Sequence, residues 1–172
     1  MPGSQARFHY AFGRFMAFWG WHAGAAQAFR DALDHAPSYF EAQLQLGEAL
    51  GRAGQWGAAA DALAHAARAA PRNADLTGSL LVALARAERW PAAVETAERL
   101  TLLAPGRAEP VILLGGVQRR ARRPQDAIRT FRRALHLPVS PTRFLIGEAL
   151  FGPKAWEELL SAHRQAVERE PA

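Results

Sequence analysis

The chain has 172 residues and 49% apolar composition, enough for one cooperative folding unit. It has no cysteine, which excludes disulfides and thiolate metal sites. Its net charge of +5 rests on 20 Arg against one Lys, and no alternating apolar run with β-branched enrichment argues for strands, so the chain is expected to be all-α.

Pro37, Pro71 and Pro105 lie 34 residues apart, and each closes a stretch that divides into two short amphipathic helices. Proline lacks an N–H and disfavours helical geometry in the residue before it, so it ends the second helix of each stretch and forces a turn. The units read as 6–39, 40–73, 74–107, 108–139 and 140–172, with Pro138 and Pro171 closing the last two and residues 1–5 left as an N-terminal tail. In the first unit Gly13 faces a second helix carrying Ala25, Phe29 and Ala32. The second unit repeats this with Gly47 against Ala59, Leu63 and Ala66, preceded by Ser38 and Glu41 in a capping-box pattern. The third departs, with Leu81 at the small place and Ala97 with Leu100 on its second helix, and Pro91 opens that helix. The fourth returns to the pattern with Gly115 against Ala127, Phe131 and Ala134, opened by Pro124. In the fifth, Ser140 and Pro141 read as an N-cap and first-turn pair, followed by Gly147, Pro153, Leu159 and His163. A small side chain lets two helix backbones approach closely while a large neighbour fills the groove beside it.

Small, large and proline positions recurring in one register resemble the tetratricopeptide repeat (TPR) over nearly the whole chain. The resemblance implies a right-handed superhelical TPR solenoid of antiparallel helix pairs, in a single array over 6–172. It also implies a protein-binding groove on the concave side, walled by Tyr10, Arg14, Phe18, Gln45, Glu48, Arg52, Ser79, Val82, Arg86 and Arg120. TPR domains that hold chaperone tails use a set of Lys, Asn and Arg; the matching places here are Tyr10, Arg14, Gln45, Asp75 and Ser79, so that clamp is not present.

Residues 10–29 carry only Arg14 as a formal charge, but three glycines, His22 and Gln27 interrupt them, and they divide into helix, turn and helix in register with later units. A membrane span is therefore not expected. With no signal peptide recognised, the cytoplasm is the expected compartment.

Catalytic, cofactor and metal sites are not expected. His9, His22, His35, His65, His136 and His163 include no pair spaced for metal binding on one helix turn and no nucleophile motif. Gly115-Gly116 lies inside a helix rather than in a phosphate loop.

Charge is unevenly spread. Four of the five net positive charges fall in residues 108–172, and Arg119, Arg120, Arg122, Arg123, Arg129, Arg132 and Arg133 face a single acid, Asp126, between Gln118 and His136. This is an anion patch for an acidic protein segment or nucleic acid, or else a solvated face in an Arg-rich chain. Two ladders also follow the period: Glu41, Asp75 and Glu109 at the starts of first helices, and Arg52, Arg86 and Arg120 at their ends. Both would border the groove, and both offset helix dipoles by about 0.3–1 kcal/mol each.

The first helix is unusual. Where the second and third units carry Ala42, Ala49 and Ala53, then Leu76, Ala83 and Ala87, it carries Phe8, Phe15 and Trp19 with no earlier helix pair to cover them. These rings can expose on the order of 500 Å², more than a monomer usually leaves bare. Self-association as a homodimer, a covering partner, and rings folded back over the first turn are the three readings.

The function expected is a non-catalytic scaffold or adaptor that binds a peptide or protein through the groove and the aromatic N-terminal face. Two other classes fit the sequence: a nucleic-acid-associated helical-repeat protein using the Arg cluster, and the regulatory TPR part of a larger enzyme. Against nucleic acid, only Phe131 among aromatics lies within the basic patch, at a core place.

Overall fold

The computed structural model describes residues 2–138, 147, 150–152, 154–158, 160, 161 and 165. Regular structure among them is helical throughout, with no strand. Eight helices are bounded: α1 (Ser4–Phe18), α2 (His22–His35), α3 (Phe40–Arg52), α4 (Trp56–Ala69), α5 (Ala74–Arg86), α6 (Trp90–Leu103), α7 (Ala108–Arg120) and α8 (Pro124–Ala134). The starts and ends of α3, α5 and α7 advance in steps of 34, as the proline spacing requires. α1 takes in Ser4 and Gln5 of the opening tail.

Two compact units divide the chain, Met1–Ala83 and Leu84–Ala172. In the first, α1 packs on α2, α2 on α3 and α3 on α4, with α1 also meeting α3. In the second, α6 packs on α7 and α7 on α8.

The small-against-large rule of the sequence is realised in atomic contacts. A Cβ placed on Gly13 would lie 2.7 Å from the Phe29 ring, on Gly47 2.5 Å from Leu63 Cγ, and on Gly115 2.6 Å from the Phe131 ring. These are closer than real Cβ atoms come, so each glycine is what allows its helix pair to close. In the last stretch the same service is done by Trp156, which is 2% exposed and lies over Gly147.

A second device repeats with the same period at the turn inside each pair. Residues 20, 54, 88 and 122 all take positive φ: Gly20 78°, Gly54 77°, Glu88 56° and Arg122 59°. The following N–H groups, of Trp21, Gln55, Arg89 and Arg123, each donate to the carbonyl five residues back, Met16, Leu50, Leu84 and Gln118, at 2.9 Å. This is a Schellman closure, which satisfies carbonyls that a helix end leaves free.

Capping corrects one expectation. α3 begins at Phe40 with Tyr39 as its cap residue and no side-chain cap bond, so Ser38 and Glu41 do not form a capping box. The turn is pinned instead by Gln43, whose Nε2 donates to the Pro37 carbonyl at 2.7 Å. The side-chain cap is found one unit on, where Asn73 Oδ1 accepts the Leu76 N–H at 3.0 Å. Pro91 and Pro124 do open α6 and α8. Ser140, Pro141, Pro153, Leu159, His163 and Pro171 lie outside the described residues.

Candidate protein-binding groove and aromatic face

Tyr10 is the centre of the best-defined polar cluster in the first unit. Its ring packs 5.8 Å from Phe29 and 5.0 Å from Tyr39, and the Arg14 guanidinium lies 6.0 Å from its centroid. Burial raises the Tyr10 phenol above the ordinary tyrosine range; Arg14 opposes this, while Tyr39, Glu41 and Glu48 add to it. Glu48 Oε2 accepts from Gln45 Nε2 at 3.0 Å. The structure brings Tyr10 together with Arg14 and Tyr39, and the charges of Glu41 and Glu48 act on the phenol.

Because the folded phenol holds its proton more tightly than the unfolded one, Tyr10 contributes stability fully present below the unfolded pKa and lost as pH rises through the folded value. A spectrophotometric titration of tyrosinate should show a late step that Tyr10→Phe removes. A titration in which the variant loses an ordinary step instead would contradict the clustering.

The other wall residues are placed less closely. Phe18 is 83% exposed, Arg52 is exposed, and Ser79 and Val82 are half-buried on α5. In the second unit Arg86 and Arg120 are exposed, and Arg120 stacks its guanidinium 5.3 Å from the Phe151 ring. Glu109 breaks the expected acidic ladder: it is 1% exposed, with Oε1 3.3 Å from Arg107 Nη2, whereas Glu41 and Asp75 are exposed. Beside it, the Ala108 N–H at the start of α7 donates to the Pro138 carbonyl at 3.0 Å.

The seven arginines of the basic patch are not equivalent. Arg123 Nε and Arg129 Nη2 bind Asp126 at 2.6 and 2.5 Å and hold its carboxyl below the usual carboxylate range. Arg119, Arg122, Arg132 and Arg133 are exposed around them.

The aromatic face is bare. Phe8 is 67%, Phe15 53% and Trp19 59% exposed, so the rings do not fold back under cover. Phe12, 47% exposed and stacked on Phe8 at 6.4 Å, belongs with them and was not among the residues singled out from sequence. The same register places are closed in later helices: Ala42, Leu46 and Ala49 are 0, 9 and 3% exposed, and Leu76, Leu80 and Ala83 are 2, 6 and 2% exposed. Between α1 and α2 the face continues into an apolar groove of about 520 Å³ lined by Phe8, Phe12, Met16 and Ala28. Its rim is polar: His9 stacks on His35 at 5.5 Å and lies 3.9 Å from Asp31, which accepts from Gln27. Among the described residues no group of three His, Asp or Glu is arranged to hold a metal ion.

No family model and no curated protein sequence matches the chain. Solved structures do. It is similar to a crystal structure of the MamA protein at 20% identity, covering 98% of this chain and 93% of that one with a TM-score of 0.70. It is also similar to MamA from residue 41 to the end from Desulfovibrio magneticus RS-1, at 16% identity, full coverage of both chains and a TM-score of 0.67. A third, MamA of AMB-1, matches at 20% identity over 77% of this chain and 78% of that one, with a TM-score of 0.66. The fold is a TPR-like helical repeat. At such identities the likeness shows the fold alone. Among the described residues no helix is long and apolar enough to cross a membrane.

Proposed function

We propose that this chain is a non-catalytic scaffold that binds a peptide or protein segment on the wall formed by α1 and α3. The observation that carries this reading is the Tyr10 cluster. Two tyrosine rings and Arg14 meet where α1 passes the start of α3, and the charges of Glu41 and Glu48 act on the Tyr10 phenol, giving aromatic surface and charges of both signs within one short stretch of the proposed wall. Such a surface suits a segment that presents an apolar side chain between charged ones, with the charges setting register and the rings supplying contact area. Arg52, Ser79 and Val82, at the following places of the repeat, are proposed to extend the same wall within the first unit.

Panning a library of displayed peptides against the whole chain tests this. The expected result is an enriched consensus whose binding to the wild type drops about tenfold or more in Arg14→Glu and is unchanged in Arg132→Glu. No enrichment overturns the groove reading. A consensus of acidic residues that depends on Arg132 and Arg133 instead transfers the function to the basic patch.

A further inference from the structure

Phe8, Phe12 and Phe15 of α1 and Trp19 at its C-cap are exposed at a spacing of four, three and four residues, with Phe18, 83% exposed, beside them. That is the seam spacing of two helices packed side by side, and the remainder of α1 buries its other side on α2 and α3. At the places of Phe8, Phe12 and Phe15, α3 and α5 are buried, while Ala53 and Ala87 at the place of Trp19 are half-buried, so the bare face on α1 has the form of a helix-receiving surface. The stripe is also palindromic. Its spacing is the same read from either end, so an antiparallel copy sets Phe8 against Trp19 and Phe12 against Phe15.

We propose that α1 pairs with α1 of a second copy of this chain about a twofold axis between Phe12 and Phe15. This inference stands apart from the groove reading, since the aromatic stripe is a different set of side chains from the Tyr10 cluster. An isologous contact needs one self-complementary patch, and this stripe is one. The symmetric spacing of the stripe selects the antiparallel sense, and the charges at the helix ends agree with it. α1 has no acid in its first turn and no base in its last, so an antiparallel partner brings Arg7 to a helix C-terminus that has no cation of its own. A parallel partner would set Arg7 against Arg7. The area is adequate: at the exposures found, four rings of roughly 150–250 Å² offer on the order of 450 Å² per copy. Across the pair this is about 900 Å², and the exposed Ala11 and Arg7 beside the seam carry it toward the roughly 1,000 Å² of a specific interface.

Light scattering coupled to size exclusion, on the full chain across a micromolar dilution series, should give twice the 18.8 kDa chain mass at the upper end. Phe12→Glu with Phe15→Glu should return the mass to a single chain with unchanged far-ultraviolet circular dichroism. A folded variant that keeps the double mass overturns the proposal. So does a wild type of single-chain mass throughout the series, whether or not it floats with phosphatidylcholine vesicles; flotation would assign the face to a lipid surface. If the double variant loses helix, Phe8→Gln with Trp19→Gln replaces it, leaving the centre of the stripe intact while weakening the dimer.

Discussion

Exchanging the sizes of Gly13 and Phe29 should preserve the first helix pair, although either change alone damages it. In Gly13→Leu a branched side chain enters where even a Cβ would meet the Phe29 ring at 2.7 Å, and overpacking of this kind costs about 1–3 kcal/mol. Phe29 is 0% exposed, so Phe29→Ala opens a cavity and costs about 3–5 kcal/mol. The double variant puts Leu and Ala where the third repeat has Leu81 and Ala97, both 0% exposed. Its loss should therefore fall short of the summed single losses by about 1–3 kcal/mol, the coupling expected of residues in contact. Urea unfolding of the four chains in the cycle measures this. Additive losses would show that the two side chains do not share one space.

The turn inside each pair offers a prediction of opposite signs at equivalent positions. Gly54→Val should destabilise by about 1–3 kcal/mol, because φ of 77° is costly for a β-branched residue. Arg122→Gly, at φ of 59°, should do the reverse. Relief of left-handed strain is worth about 1–2 kcal/mol, and the extra freedom of glycine in the unfolded chain takes back about 0.5–1 kcal/mol, leaving a net gain of up to about 1.5 kcal/mol. Glu88→Gly should behave alike. Differential scanning calorimetry decides it: a lower melting temperature for Arg122→Gly would mean that the Arg122 side chain holds something the turn geometry does not reveal.

The contrast between legible and illegible features follows contact distance along the chain. Gly13 with Phe29, Gly47 with Leu63 and Gly115 with Phe131 are each 16 residues apart, inside one helix pair, and recur every 34 or 68 residues. Tyr10 and Arg14 were legible as neighbours because they stand one helical turn apart on α1. Tyr39 was not, since it precedes α3 as its cap residue and reaches Tyr10 only when α1 and α3 come side by side. Phe12 had a readable signal in its seam spacing with Phe8 and Phe15, yet comparison by repeat place alone passed over it, because Leu46 and Leu80 at its place are also large.

By itself the sequence determined the period, the paired helices, the close glycine contacts and the aromatic stripe on the first helix. All of these rest on local spacing: the 3.6-residue turn selects a face, proline ends a helix, and size alternation at fixed separation sets how near two helices come. Only the tertiary structure decided what depends on distant parts of the chain meeting. Glu109 is buried where its counterparts Glu41 and Asp75 are exposed, Pro138 accepts from the Ala108 N–H, Trp156 supplies the ring over Gly147, and His9 meets His35. No periodicity encodes such pairs, since each is made once, by packing that brings together side chains with no fixed separation in the sequence.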